Sequence, residues 1–446
     1  LGWAPWLQRL AAENLVEVYT WSIGTASWWF REVASGRPGL ITRVGLGTFL
    51  DPRQDGCYLN ELARERRTCR SEVIEIGGRE YLLYSAPKPD AALIRATTSD
   101  ELGNLSMERE GILGTVLGIA QAAKSNGGIV IAQVERMARF GSIRPKEVQV
   151  PAPLVDRVVI SPPEYHWQTY SIHYDPRISG EVIPPRGSLP SLELSDRKVI
   201  ARRVALELVR LAEEKGRPLF VNFGIGIPAL VPAVIEEEGL SDILLTSIEA
   251  GPIGGIALTE ADFGVAMGPF AIMPMPDMFT NYEGGVIDAS SLGFMQVDSE
   301  GNVNPSFIPG RITGPGGFPV IASGSPRLYF AGGFTAGKRR IRVGGGVIRI
   351  EQDGDIIKFV RRVHKIAFNG RMAREEGKEV IYITERAVFR LSDGIVLEEV
   401  APGVDLEREV LGRMDFEPKV SSKLEEMDAR IFREEKMNLR EEIRIV

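Results

Sequence analysis

The stretch LFVNFGIGIPAL, Leu219 to Leu230, decides the fold class: it reads as an apolar strand, a glycine turn and a helix whose first position is Pro228. Proline suits that position because the N–H it lacks would be unpaired there. Upstream, Ser195 is a good N-cap, Ile200, Val204, Leu208 and Leu211 fall on one helical face, and Gly216 with Pro218 ends the helix. Downstream, ILLTSIE (Ile243 to Glu249) is a second strand that runs into the glycine turn AGPIGG. Strands alternating with helices predict an α/β layer structure, in which ligands gather beyond the carboxyl ends of the strands.

The same alternation runs through the first third of the chain. LITRVGLGTFL precedes a turn at DPRQDG, AALIRATT precedes a turn at DELGN, and a helical pattern from Ile112 to Ser125 leads into GIVIAQV. Proline-rich text follows, SPPEYHWQTY and VIPPRGSLPSLEL. The expected organisation is therefore an α/β domain over residues 1–150, a crossing linker over 151–194, and a second α/β domain over 195–446. Beyond Phe330 come further strand candidates, KEVIYIT and AVFRLSDGIVLEEV, and a charged amphipathic helix is expected from Ser421 to about Leu439.

With 446 residues, 44% hydrophobic and 25% charged, the chain can bury two large cores. A net charge of −7 argues against nucleic acid as a partner, since neutralising phosphates takes a concentrated basic surface. No apolar run reaches bilayer length, so no membrane partner is expected. Two cysteines, Cys57 and Cys69, exclude a disulfide framework and a four-cysteine zinc site, and fit a reducing cytoplasm.

Glu249 and the turn NFGIGIP lie at the ends of consecutive strands, so their loops should share one crevice. By itself such a loop reads more readily as an ordinary strand-to-helix turn with a solvated glutamate. A third glycine cluster, GRITGPGGFPVIA, adds Gly314, Gly316 and Gly317 ahead of an apolar strand expected from Phe318. Backbone so dense in glycine can aim N–H groups at a developing oxyanion. One carboxylate with such donors, and no serine or cysteine partnered by histidine, suggests acyl transfer through an anhydride.

SIEAGPIGG resembles the catalytic-glutamate motif of the family I CoA-transferases, in particular the single-chain acetate and propionate branch. SGRPGLITRVGLGTFLDPR, RATTSDELGNLSMERE, QTYSIHYDPRISGE, NFGIGIP, GPGGF, FAGGFTAG, VIYITERAVFRL and APGVDLEREVL agree in the right order along nearly the whole chain. The resemblance implies two open α/β domains of the NagB/RpiA-like type in tandem, and transfer of CoA from an acyl-CoA to a free carboxylic acid, with Glu249 as covalent nucleophile. It also implies that Gly314, Gly316, Gly317 and Phe318 line the acyl and CoA pocket, and that Asn222, Gly224 and Gly226 shape the wall beside Glu249. CoA enters as substrate, with no permanently bound cofactor and no metal. Homo-oligomers are the family's habit.

The chain departs from the family in places. The family's opening strand, glycine turn and helix precede the point where this sequence starts, and a separate polypeptide supplying that segment is one expectation. Where many members carry Pro-Gln-Gly, this chain has Ser22, Ile23 and Gly24, and an isoleucine side chain cannot donate a hydrogen bond; loss of one oxyanion-type donor typically slows a reaction about 100- to 1000-fold. A family glycine after DPR is Cys57, and the run before a glycine cluster is MFTNYEGGVID. An acyl-CoA hydrolase and a non-catalytic acyl-CoA-binding protein are the rival readings.

His166, His173 and His364 are too scattered for a zinc site or a triad and are expected to be structural. Cys57 reads as a turn-packing residue, and the early tryptophans as core or interface. Lys338, Arg339, Arg340 and Arg342 read equally as phosphate contacts or as a solvated hairpin edge.

Overall fold

The computed structural model describes residues 4–185 and 191–443. Ser195 caps the helix Asp196–Lys215 by accepting the Lys198 N–H at 3.2 Å, and Gly216 closes it in the left-handed conformation at φ 63°. Ile200, Val204, Leu208 and Leu211 are buried, as their spacing requires. The helix packs on a ten-stranded sheet.

Five parallel strands form the middle of that sheet. Their order in space is Leu244–Ser247, Leu219–Phe223, Ala289–Leu292, Arg327–Ala331 and Glu379–Ile383. Taken in chain order this is a 2-1-3-4-5 arrangement, so the winding reverses between Leu219–Phe223 and Ala289–Leu292. A crevice opens at such a reversal, because the connections on either side leave towards opposite faces.

In the first half, Ala91–Arg95, Ile129–Val134 and Arg157–Ile160 form a smaller parallel sheet, and the helix Val116–Ser125 covers one face of it. The third of these strands lies inside the stretch read as a proline-rich linker. A hairpin, Arg70–Ile76 with Arg79–Ser85, turns through Gly77 and Gly78.

The helix Ile23–Ala34 docks on the helix Met275–Glu283. Trp28 Nε1 donates to Pro276 O at 2.8 Å, the Trp28 and Phe279 rings meet edge to face at 6.3 Å, and Arg31 pairs with Asp277 at 2.7 Å. Trp28 and Trp29 join one buried cluster with Phe279, Tyr282, Phe318 and Phe330, so this early segment shares a core with the large sheet. Trp6 instead is 74% exposed, and Trp3 lies outside the described residues.

The helix expected from Ser421 to Leu439 does not form. Lys419–Glu426 is a strand beside Gly394–Val400, and Ala429–Phe432 is a short 3-10 turn. Tertiary partners override the periodic pattern here. The otherwise open edge of the sheet takes the backbone of Lys419–Glu426, and the buried Arg202 guanidinium donates to Ile431 O at 3.1 Å and Glu435 O at 3.0 Å. Valine and serine at 420–422 give little intrinsic helical preference to resist this. Among the described residues no helix is long and apolar enough to cross a membrane, and no acidic, histidine or cysteine cluster could hold a metal ion.

Candidate active site

A cavity of about 480 Å³ lies at the carboxyl ends of the parallel strands, at the winding reversal. Its walls are the residues that follow each strand: Asn222 to Ile225, Leu292 to Phe294 and Ala331 to Gly333. Glu249 and the loop Gly314 to Phe318 close one end. A second cavity, of about 420 Å³, lies between Thr42, Glu283 and Lys378, away from Glu249. Its polar side chains are already engaged, Thr42 with Glu283 and Lys378 with Ala322 O.

Glu249 Oε2 accepts the Gly317 N–H at 3.0 Å. The residue as a whole is half-buried and lines the cavity, while its carboxyl is enclosed, and burial pushes its pKa up to about 7 against the downward pull of the Gly317 N–H. A carboxylate so placed is poorly solvated and therefore reactive towards carbonyl carbon. Gly317 must lack a side chain, since a Cβ there would stand 2.1 Å from Glu249 Oε2.

Neighbouring residues fix this arrangement. Ile23 N–H donates to Gly316 O at 3.0 Å and Ser22 Oγ donates to the same oxygen at 3.2 Å. The start of the helix at Ser22 and Ile23 therefore holds the Gly314 to Phe318 loop through Gly316. Asn222 Nδ2 donates to Ser247 O and to the Tyr282 hydroxyl, both at 3.1 Å, and Tyr282 donates to Ser247 Oγ at 3.1 Å. That chain of hydrogen bonds ties the strand ahead of Glu249 to its neighbour, while the buried Asn222 Oδ1 has no protein partner among the described residues.

Of the expected site residues, Glu249, Asn222, Gly224, Gly314, Gly316, Gly317 and Phe318 all line this cavity. Gly226 does not: it is exposed in the turn at φ 91°, where it allows the chain to reverse.

The sequence pattern of the coenzyme A transferase family matches residues 3–161. The caffeate CoA-transferase of Acetobacterium woodii is 42% identical over 412 residues, which are 91% of this chain and 76% of that protein. The acetate CoA-transferase YdiF of Escherichia coli K12 is 40% identical over 97% of this chain and 79% of its own length. The chain belongs to the coenzyme A transferase family. It superposes on the E. coli O157:H7 YdiF thioester complex with CoA with a TM-score of 0.87 at 38% identity, covering 98% of this chain and 81% of that one.

Membership makes the chain a CoA-transferase of mixed α/β fold. For this transferase, sequence reasoning missed several cavity residues: Leu292, Phe294, Phe263 and Lys358. Leu292 and Phe294 could have been found, since LGF follows a strand next to the winding reversal. Lys358 carries no local signal, being one basic residue among several in IIKFVRR. The basic run after Gly337 turns out to lead into a hairpin, Arg340–Gly344 with Val347–Gln352, where Arg342 pairs with Glu351. Arg339 pairs with Asp196 at 3.1 Å.

Cys57 is buried at φ 68°, a conformation that favours glycine, and burial raises its thiol pKa to about 12. It has the structural role expected of it. His166 is likewise enclosed, with Nε2 at 3.3 Å from Glu110.

Proposed function

We propose that Glu249 is the covalent nucleophile of a ping-pong exchange of CoA between an acyl-CoA and a free carboxylic acid. A Glu249 oxygen attacks the thioester carbonyl, the C–S bond breaks, and CoA leaves as thiolate with a glutamyl-acyl anhydride behind it. The thiolate attacks the glutamyl carbonyl and the anhydride C–O bond breaks, freeing the first acid and leaving a glutamyl-CoA thioester. The second acid's carboxylate attacks that thioester, expelling the thiolate. Thiolate attack on the new acyl carbonyl then releases the product and restores Glu249. The net reaction replaces one CoA thioester by another of similar energy, so no ATP is needed.

The observation that carries this reading is the Gly317 N–H held 3.0 Å from Glu249 Oε2 at one end of the cavity, where the carboxyl is itself buried. When the glutamyl carbonyl is attacked, charge gathers on its oxygen, and an N–H already aimed there needs no reorganisation. Removal from bulk water also suits the anhydride, which water would hydrolyse.

The acids are of short chain on this reading, with acetate as the reference because an acetate CoA-transferase is among the near relatives. A larger aryl-propenoate is the alternative acceptor, since a caffeate CoA-transferase is another. On this reading the transferase works as a homo-oligomer, which the resemblance implies, in the cytoplasm.

Intact-mass analysis after mixing the protein with acetyl-CoA, propionyl-CoA and an aryl-propenoyl-CoA tests the proposal. A CoA adduct that a carboxylic acid removes, and that Glu249→Ala does not form, supports it. An adduct that persists in the variant overturns it, and thioester loss without any acceptor acid makes the chain a hydrolase.

A further inference from the structure

The cavity has a second end. Its far wall is Ala331 to Gly333, which follows the strand Arg327–Ala331, three strands away from Leu244–Ser247 and Glu249. At about 4.8 Å per strand, the two ends are about 14 Å apart.

Lys358 stands at that far end. It is 8% exposed, it lines the cavity, and its Nζ sits 4.0 Å from the centre of the Phe294 ring. Among the described residues this Nζ has no hydrogen bond and no ion pair. The nearby carboxylate of Glu385 is already used, accepting from Phe334 N–H at 2.9 Å and from Arg386 Nε at 2.9 Å. Two neighbouring cations are matched: the buried Arg386 to Asp353 at 2.8 Å and the half-buried Arg339 to Asp196 at 3.1 Å.

The two glycines of FAGGF make room for this corner. A Cβ on Gly332 would lie 3.0 Å from Lys358 Nζ, and one on Gly333 would lie 2.1 Å from Arg339 Nη1, which has no hydrogen-bond partner among the described residues and stands 3.9 Å from Glu385 Oε2. Two cations thus border one wall, and Lys358, which feels the shared Glu385 carboxylate and the Phe294 ring, makes no ion pair of its own among the described residues. A buried cation without a counter-charge is costly unless something else supplies the charge.

The span identifies what does. If Glu249 holds the thioester, as proposed above, the pantetheine arm must leave along the cavity. From sulfur to the first phosphorus that arm has as many bonds as about four residues of extended chain, about 15 Å. We propose that Lys358 is the anion-binding residue that receives the diphosphate end of CoA while the thioester lies at Glu249.

Burial lowers the Lys358 pKa to about 7, which is what a cation waiting for its anion would show. The same amine could in principle meet the carboxylate of the acid substrate, since both are anionic oxygens. The arms of the test separate the two sources.

The test compares Lys358→Met and Lys358→Gln with the wild type, using acetyl-CoA and acetyl-pantetheine, which has the arm without the phosphates. A charge-assisted hydrogen bond of this kind changes affinity about 10- to 100-fold. The ratio of kcat/KM for acetyl-CoA to that for acetyl-pantetheine should fall by that factor in both variants, through KM, with the KM of the carboxylic acid unmoved. An unchanged ratio overturns the proposal. A raised KM for the acid with an unchanged ratio overturns it too, and assigns Lys358 to the acid.

Binding read by calorimetry keeps the inference separate from the chemistry. If wild-type protein forms no glutamyl adduct, the Glu249 reading fails. Weaker CoA binding with unchanged pantetheine binding in both variants would still place the phosphates at Lys358. Equal loss for both ligands would mean that the substitutions disturb the cavity as a whole, and the assignment falls.

Discussion

Gly317 donates its backbone N–H to Glu249 Oε2 at 3.0 Å, and a Cβ on Gly317 would lie 2.1 Å from that same oxygen. One residue therefore supplies the donor and, by lacking a side chain, the space for the acceptor. The two come from loops 68 positions apart and meet only because both lie at one end of the same cavity.

Gly317→Ala should consequently abolish most activity while leaving the protein folded. The methyl displaces the Glu249 carboxyl and loses the hydrogen bond, and removing an oxyanion-type donor typically slows a reaction about 100- to 1000-fold. Single-turnover formation of the CoA adduct measures this. An adduct rate within threefold of wild type would mean that the Gly317 N–H does not act on Glu249 during the reaction.

The raised pKa of Glu249 predicts a pH dependence. The nucleophile is the ionised form, so kcat/KM for the acyl-CoA should climb about tenfold per pH unit below about 7 and level off above it. A profile already flat from pH 5 to 8 would mean that the nucleophile is ionised throughout.

The same group links stability to pH with the opposite sense to an ordinary paired carboxylate. Its pKa is higher folded, about 7, than the reference 4.5, so between these values the folded state holds the proton and the unfolded state has lost it. Stability from this group is complete below pH 4.5 and declines as pH rises towards 7, by about 3 kcal/mol in all. Glu249→Gln should therefore raise the midpoint of thermal unfolding at pH 8 and leave it little changed at pH 4.5.

Trp28 ties the early helix to the core. Trp28→Ala should lower stability by about 3 to 5 kcal/mol, the usual result of emptying a buried aromatic site, with the Pro276 carbonyl left without its Nε1 donor. Denaturant unfolding reads this directly. Because Ile23, at the start of the same helix, holds Gly316, the adduct rate should fall as well, though less than in Gly317→Ala.

Cys57 should resist thiol reagents in the folded protein. Its thiol is buried and its pKa raised to about 12, so almost none is thiolate at pH 8. Titration with a thiol reagent should modify at most Cys69 until denaturant is added, and mass mapping of the labelled peptide identifies the site.

Local pattern was enough for much of this protein. The spacing of Ile200, Val204, Leu208 and Leu211, the cap at Ser195 and the left-handed stop at Gly216 are interactions within a few residues, so they determine the helix Asp196–Lys215 from sequence alone. The strand-then-glycine pattern placed Glu249 just past a strand end for the same reason, since a turn without side chains has few uses besides close approach. The segment after Gly317, read as an apolar strand, is instead the helix Phe318–Gly324, because a short apolar run suits a buried helix as well as a strand.

Tertiary structure decided the rest. Residues 421–439 have a helical charge pattern, yet an open sheet edge and the donors of Arg202 claim their backbone, and no local rule contains those partners. Gly226 looks like its neighbours in sequence but faces away from the cavity, since position in a turn depends on where the flanking strand and helix pack. Lys358 is the clearest case. Its burial against Phe294 and the opposed charges of Glu385 and Arg339 come from residues 64, 27 and 19 positions distant, and such a sum of burial and charge exists only once the chain has closed around it.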